Sequence, residues 1–336
     1  MPKCQFARLK QIIKKVVIFA QKNRMKIYRP FEKEVPTEGV ATLGFFDGVH
    51  IGHQTILQKV KEEAKTLNVE PLVLTLWPHP RIVLGKNADQ LLLINTLDEK
   101  TSLIAHNGLE HFVVIPFTFQ LAELSAEDFF KSYFVEWLKI KKLVVGYDHH
   151  IGKNGSGDFE TMLRLGNRYG VLVEKIEAQT HEDISISSTK IRNLLSLGDV
   201  NKAHKYLGYK YFLSGIVEKG FQLGRKIGFP TANIKVLEKH KLIPADGVYA
   251  VKVLINGLIL NGMLNIGYRP TISKDQHKTI EVNIFDFSSS IYGSTITLQF
   301  VSRIRNEMKF SGINELKQQL EQDRLKAKQI LLSNSI

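Results

Sequence analysis

Two stretches of the chain concentrate groups suited to handling phosphate. The first is Gly44-Phe45-Phe46-Asp47-Gly48-Val49-His50-Ile51-Gly52-His53, which follows a strand-like apolar run and opens a helical pattern. Glycines let backbone approach an anion closely, and a helix N-terminus offers free N–H groups and partial positive charge. Gly44, Phe46, Asp47 and Gly52 are the phosphate-loop candidates. His50 and His53 flank Gly52 and can face one phosphate, where they would stabilise charge growing on an α-phosphate and its pyrophosphate leaving group. A lone histidine is ordinarily a structural hydrogen-bonder, whereas His-x-Gly-His directly after a strand is far more specific. The second stretch, Gly220 to Asn233, carries Gly224, Arg225, Gly228 and Pro230 in a glycine-rich basic flap. It lacks the Gly-Lys-Ser/Thr of a Walker loop. Thr231 and Asn233, two apart on an extended chain, point the same way, and their hard oxygens suit Mg²⁺ bridging ATP phosphates.

Further polar segments stand at the ends of apolar runs. Thr75-Leu76-Trp77-Pro78-His79-Pro80 follows a strand, as does Gly146-Tyr147-Asp148. Ser187-Ser188-Thr189-Lys190-Ile191-Arg192 offers hydroxyl donors, a helix start and cations for triphosphate oxygens, and Ser-Ser-Thr alone would equally make an ordinary N-cap. Glu281 sits in an alternating segment, Thr279 to Ile284, where an exposed strand glutamate is common. Cys4 is the single cysteine, so neither a disulfide nor a cysteine-built zinc site can form within the chain. His149-His150 has no third ligand at suitable spacing for a metal.

The elements that must position these groups fall into two textures. Gly39 to Phe46, Pro71 to Leu76, His111 to Pro116 and Lys142 to Gly146 read as strands. Thr55 to Leu67, Leu97 to Asn107 and Glu127 to Leu138 read as helices between them. This alternation predicts a parallel sheet with helices on both faces. A helical segment from Thr189 to Leu207 then joins a half of short strands, Tyr211 to Ser302, with an Asn256-Gly257 hairpin signal. That half predicts a small antiparallel barrel, followed by a helix from Ile313 to Leu332. The fold class is therefore α/β, Rossmann-like, then β, with boundaries at 1–24 (a basic leader), 25–186, 187–207 (a helical linker) and 208–332.

The 336 residues suit two domains, and no stretch approaches the ~20 apolar residues of a membrane span. The net charge of +13 invites a nucleic-acid reading, but seven basic residues and no acid lie in 1–24, leaving +6 on the rest. No nucleic-acid-binding motif accompanies the charge, and a moderately basic body suits nucleotide phosphates. The leader's pattern fits a transit peptide or a membrane-surface helix. Its lack of serine favours a plain extension ahead of Met25.

The motifs together resemble the bacterial bifunctional riboflavin kinase/FAD synthetases, and the resemblance runs from about residue 38 to about 324. The His-x-Gly-His segment is similar to the nucleotidyltransferase signature, and Gly224-Arg225-x-x-Gly228-Phe229-Pro230-Thr231-Ala232-Asn233 to the riboflavin kinase signature. Pro244 to Val251, Asn265-Ile266-Gly267, Arg269-Pro270-Thr271 and Tyr292-Gly293 fit the same family. The resemblance implies riboflavin phosphorylation to FMN in the carboxyl half and FMN adenylylation to FAD in the amino half. The substrates it implies are riboflavin, FMN and ATP with Mg²⁺, acted on in the cytoplasm without nucleic-acid or membrane partners. It implies Glu281 as catalytic base, and His79, Asp148, Arg305 and Phe310 as flavin contacts. Where the family has Asp-Phe-x-Phe-Gly and a basic loop, this chain has Asp148-His149-His150-Ile151-Gly152, and Gly155 stands at the expected arginine. A kinase with a degenerate adenylyltransferase module is the alternative that this departure leaves open.

Overall fold

The computed structural model describes residues 25–85, 90–147, 149–177, 180–181, 184–220, 223–268 and 278–333. The leader 1–24, Asp148 and Arg269-Pro270-Thr271 thus lie outside the described residues. The chain divides between Ser188 and Thr189 into a front and a rear unit.

The front unit is built on a parallel sheet. Its strands are β1 (Lys26–Tyr28), β2 (Val40–Leu43), β3 (Pro71–Trp77), β4 (His111–Pro116), β5 (Lys142–Gly146) and β6 (Leu172–Ile176), in the order β1-β4-β3-β2-β5-β6. Val40, Ala41, Leu72, Val73, Leu74, Leu143, Val144 and Val145 are all fully buried, as a sheet covered on both faces requires. The helices are α1 (Ile51–Leu67), α2 (Pro80–Val83), α3 (Leu97–His106), α4 (Phe119–Ala122), α5 (Ala126–Phe129) and α6 (Phe159–Tyr169). The segment Phe130–Trp137, expected as regular helix, is a π-helix. Its Phe130 and Phe134 pack into the core with Phe129 and Tyr133. A two-strand pair, β7 (Thr180–His181) and β8 (Ile184–Ser185), closes the unit. The chain order reverses between β2 and β5, and an open sheet binds ligands in the crevice at such a point.

The rear unit contains α7 (Ser188–Ser196) from its second residue onward, α8 (Val200–Leu207), the strands β9 (Phe212–Glu218), β10 (Ala232–Lys235), β11 (Gly247–Ile255), β12 (Leu258–Tyr268), β13 (Lys278–Ile284) and β14 (Thr295–Arg305), a one-turn helix α9 (Leu223–Lys226), and α10 (Ile313–Ser333). The continuous helix expected over 189–207 is broken. Gly198 takes a left-handed φ of 80° and ends α7, and Asp199 caps α8 by accepting the Lys202 N–H at 3.0 Å. The six strands close an antiparallel barrel in the order β10-β13-β12-β11-β14-β9. Asn256 and Gly257 both have positive φ (48° and 78°), the hairpin geometry that the Asn-Gly pair favours. Alternation along β11 sends Tyr249, Val251 and Val253 to one face, and Val248 and Ala250 to the other, where they join Ala327 and Leu331 of α10.

One ion pair ties α10 to the barrel. Arg305, at the end of β14, bonds Asp323 through Nε (3.0 Å) and Nη2 (2.7 Å), and Asp323 is 1% exposed. Removing one partner of such a pair strands the other charge. Asp323→Ala is therefore expected to lower the stability of the rear unit by about 3 kcal/mol, read by denaturant unfolding. An unchanged midpoint would show that the pair is not holding the helix down.

Candidate active sites

Leu43 ends β2, and the following loop bends sharply to start α1. Phe46 and Val49 adopt positive φ (47° and 36°), as does Gly48 (86°). Non-glycine residues pay for that conformation. Asp47 holds it: its buried Oδ1 accepts the N–H groups of Ile94 (2.9 Å) and Asn95 (3.3 Å), and its carbonyl accepts the Ser188 hydroxyl at 2.8 Å. Gly44 has no room for a side chain without disturbing the Phe46 ring, 3.0 Å from where a Cβ would lie. Asp47 and Phe46 thus serve through the loop's backbone, and their side chains point into the protein.

His50 is the N-cap of α1, and its Nδ1 accepts the His53 N–H at 3.3 Å. The two imidazoles stack with centroids 3.6 Å apart. Burial, then the neighbouring His50 and Lys100, push the His53 pKa well below its ordinary value, so it is neutral at pH 7. Its Nδ1 is buried and has no hydrogen-bond partner among the described residues. A cleft of about 100 Å³ lies here, lined by His50, Gly52, His53, Gly146, Ser187 and Ser188. The loops after β2 and β5 and the segment before α7 thus meet at the switch point, as the motifs require. Thr189 and Arg192 belong to the rear unit, where the Arg192 guanidinium lies 3.5 Å from the Thr189 hydroxyl.

The 44–53 loop also borders a larger, mostly apolar cavity of about 460 Å³, lined by Gly44, Phe45, Leu76, Pro80, Phe117, Phe129, His149 and Gly155 among others. His79 caps α2 and packs on Phe45 with ring centroids 4.7 Å apart. Phosphate-sized and ring-sized spaces therefore share one loop.

Sequence reasoning passed over Lys100. It is 3% exposed, its Nζ lies 3.5 Å from the Thr75 hydroxyl and 5.0 Å over the Trp77 ring, and burial lowers its pKa to about 8. The signal was present, because Lys100 shares a helical stripe with the buried Ile104.

In the rear unit, register assembles the second site. Asn233 of β10 pairs with Glu281 of β13, and Glu281 with Asn265 of β12, so the three project from one face in a row. The Thr231 hydroxyl donates to Glu281 Oε2 at 3.2 Å, and Asn283 donates to the Pro230 carbonyl at 2.7 Å. In the flap, a Cβ at Gly224 would lie 2.2 Å from the Phe229 carbonyl oxygen. Gly228 has φ of 86°, and Arg225 is exposed. Asn265 was noted only as part of a matching motif; its place beside Glu281 follows from strand pairing, which sequence spacing does not reveal. Arg305 is held by Asp323 and lies 5.7 Å from the Phe310 ring, so its side chain is already engaged.

A family model for FAD synthetase matches residues 32–190, and one for riboflavin kinase matches 207–331. The Bacillus subtilis bifunctional riboflavin kinase/FMN adenylyltransferase is 41% identical over 88% of this chain and 93% of its own. The Escherichia coli K12 protein of the same name is 34% identical over 91% and 97%. The chain belongs to the bifunctional riboflavin kinase/FMN adenylyltransferase family. A crystal structure described as a macrolide-efflux protein from Streptococcus pneumoniae shares the fold of this family member, with a TM-score of 0.82 and 32% identity over 90% of this chain and 98% of that one. Among the described residues, no helix is long and apolar enough to cross a membrane.

The buried histidines give the front unit a pH signature. Burial holds the His149 pKa at about 4, below the free value of 6.5. The unfolded chain therefore takes up that proton first, and stability that is complete above pH 6.5 falls as pH drops towards about 4. His149→Phe should reduce the slope of stability against pH in this window by up to about one proton, measured by unfolding at several pH values. An unaltered slope would place His149 in water.

Proposed function

We propose that the front unit transfers the adenylyl group of ATP to FMN, and that the rear unit transfers the γ-phosphoryl group of ATP to riboflavin. The observation that carries the first assignment is the stacked His50–His53 pair at the N-terminus of α1, beside the switch point of the sheet. An FMN phosphate oxygen attacks the α-phosphorus, the bond to the bridging oxygen breaks, and pyrophosphate leaves. No protein nucleophile is needed, so positioning and charge stabilisation carry catalysis. His50 and His53 hold α-phosphate oxygens, with the backbone of Gly44 to Gly52 beneath them. Ser187 and Ser188 take the remaining phosphates. The apolar cavity takes the flavin ring, with His79 beside Phe45; Asp148, outside the described residues, is the further flavin contact that the resemblance implies.

In the rear unit, Glu281 accepts the proton of the ribityl 5′-hydroxyl as that oxygen attacks the γ-phosphorus and ADP leaves. Gly224, Arg225, Gly228 and Pro230 form the flap over the phosphates. The Thr231 hydroxyl and the Asn233 amide oxygen, beside Glu281, form a hard-oxygen pair that fits Mg²⁺. When bound there, Mg²⁺ would neutralise charge on the ATP phosphates. Arg305 and Phe310 would border the flavin ring, Arg305 in the pose fixed by Asp323. These assignments put the two activities in residues 25–186 and 208–332, with 187–207 between, in a cytoplasmic enzyme of small-molecule substrates.

Supplying riboflavin, ATP and Mg²⁺ and separating products by chromatography tests both halves. His53→Ala should slow FAD formation about 10²- to 10³-fold and leave FMN formation intact. Glu281→Gln should slow FMN formation about 10²- to 10⁴-fold and leave FAD formation from added FMN intact. Equal loss of both activities in either variant would contradict two separate sites, and FMN without FAD from the wild-type chain would mark the front unit as degenerate.

A further inference from the structure

The 44–53 loop rests on two supports, and a buried ammonium joins them. One support is β3, where the Leu74 carbonyl accepts the Gly44 N–H at 3.0 Å. The other is the start of α3, where the N–H groups of Ile94 and Asn95 hold Asp47. Lys100 belongs to α3, one turn beyond Thr96, whose carbonyl accepts the Lys100 N–H at 2.9 Å. Its Nζ reaches β3, 3.5 Å from the Thr75 hydroxyl and 5.0 Å over the Trp77 ring. Lys100 lines neither the polar cleft nor the apolar cavity, so no step of the transfer uses it directly. Taking a cation out of water is costly, and a lysine so placed must be held by its surroundings. Burial lowers its pKa to about 8, and the Asp47 carboxylate opposes that fall. An ammonium is thus set against a carboxylate that is itself buried. After burial and His50, the Lys100 charge is also what disfavours a proton on His53.

We infer that Lys100 is a positioning residue for adenylyl transfer: its ammonium joins α3 to the end of β3 and balances Asp47, and so holds the loop that aims His50 and His53 at the α-phosphate. This inference rests on the assignment of adenylyl transfer to the front unit. Lys100 meets no reacting atom, so its loss disturbs the alignment of bound substrates more than the capture of FMN. Removing one member of a buried charge pair leaves the other uncompensated, and here the stranded charge is the carboxylate that anchors the loop. Small misplacements of groups around a reacting centre are enough to slow a reaction that depends on positioning.

The test uses the full chain, with FAD formation read from added FMN, ATP and Mg²⁺, and FMN formation from riboflavin as an internal control. Lys100→Met keeps an unbranched apolar stem and removes the charge. It should lower kcat for FAD formation about 10- to 100-fold, with the KM for FMN within about threefold and the kinase activity within about twofold. A kcat within about twofold of wild type would overturn the inference. So would a loss seen only as a higher KM for FMN, or a loss that the kinase activity shares equally. A second variant guards against a fold that cannot bear the lone carboxylate. Lys100→Met combined with Asp47→Asn buries no lone charge, and the new amide oxygen can still accept the N–H groups of Ile94 and Asn95. The double variant should recover kcat at least about fivefold over Lys100→Met alone. A double variant no more active than Lys100→Met would overturn the charge balance on which the inference stands. If the wild-type chain makes FMN but no FAD, the assignment of the front unit fails first, and the inference falls with it.

Discussion

The proposed adenylyl site depends on one buried carboxylate. A strand that ends at Leu43 and a helix that begins at Ile51 leave seven residues to turn the chain, and two of the non-glycine residues among them sit at positive φ. That conformation costs on the order of 1–3 kcal/mol per residue and persists only where surrounding contacts dictate it. Asp47 supplies those contacts through the backbone N–H groups of Ile94 and Asn95 and through the Ser188 hydroxyl. The anchor fixes the first turn of α1, and with it the stacked imidazoles. It also places the loop between two spaces of different character, a small polar cleft and a larger apolar cavity. A substrate with a phosphate at one end and a ring at the other has matching accommodation.

The barrel solves its own positioning problem by register. Side chains directly opposite on neighbouring antiparallel strands project from the same face. The ladder that closes β10 on β13 and β13 on β12 therefore sets Asn233, Glu281 and Asn265 side by side with no special loop. The α/β unit aims groups with a strained turn, and the barrel aims them with strand pairing. In the proposed assignment the two arrangements serve attacks at different phosphorus atoms of ATP, one beside a helix N-terminus and one beside Glu281.

Much of this was legible in the sequence. Buried parallel strands show as short apolar runs, and β2, β3, β4 and β5 stood out for that reason. β1 has three residues, and β6 is an edge strand in which Glu174 pairs with Lys59 and Lys142 and Lys175 lies over the Phe159 ring, so neither carries the apolar signature. The break between α7 and α8 was missed because helical periodicity continues through it, although Gly198-Asp199 is a C-cap followed by an N-cap. Both candidate phosphate motifs stood out because glycine, histidine, threonine and asparagine appear there at spacings that local geometry makes meaningful. Asn265 was hidden because its place beside Glu281 comes from the pairing of distant strands, and Lys100, although on a buried helical stripe, owes its setting to Thr75 and Trp77 from a distant strand.

The most direct measurement is a crystal structure of the protein with FMN and an ATP analogue that cannot release pyrophosphate. The account predicts the α-phosphate within hydrogen-bonding distance of the His50 and His53 rings, and the FMN ring in the cavity lined by Phe45, Phe117 and His149. An α-phosphate bound away from both histidines, with the 44–53 loop empty of nucleotide, would contradict it.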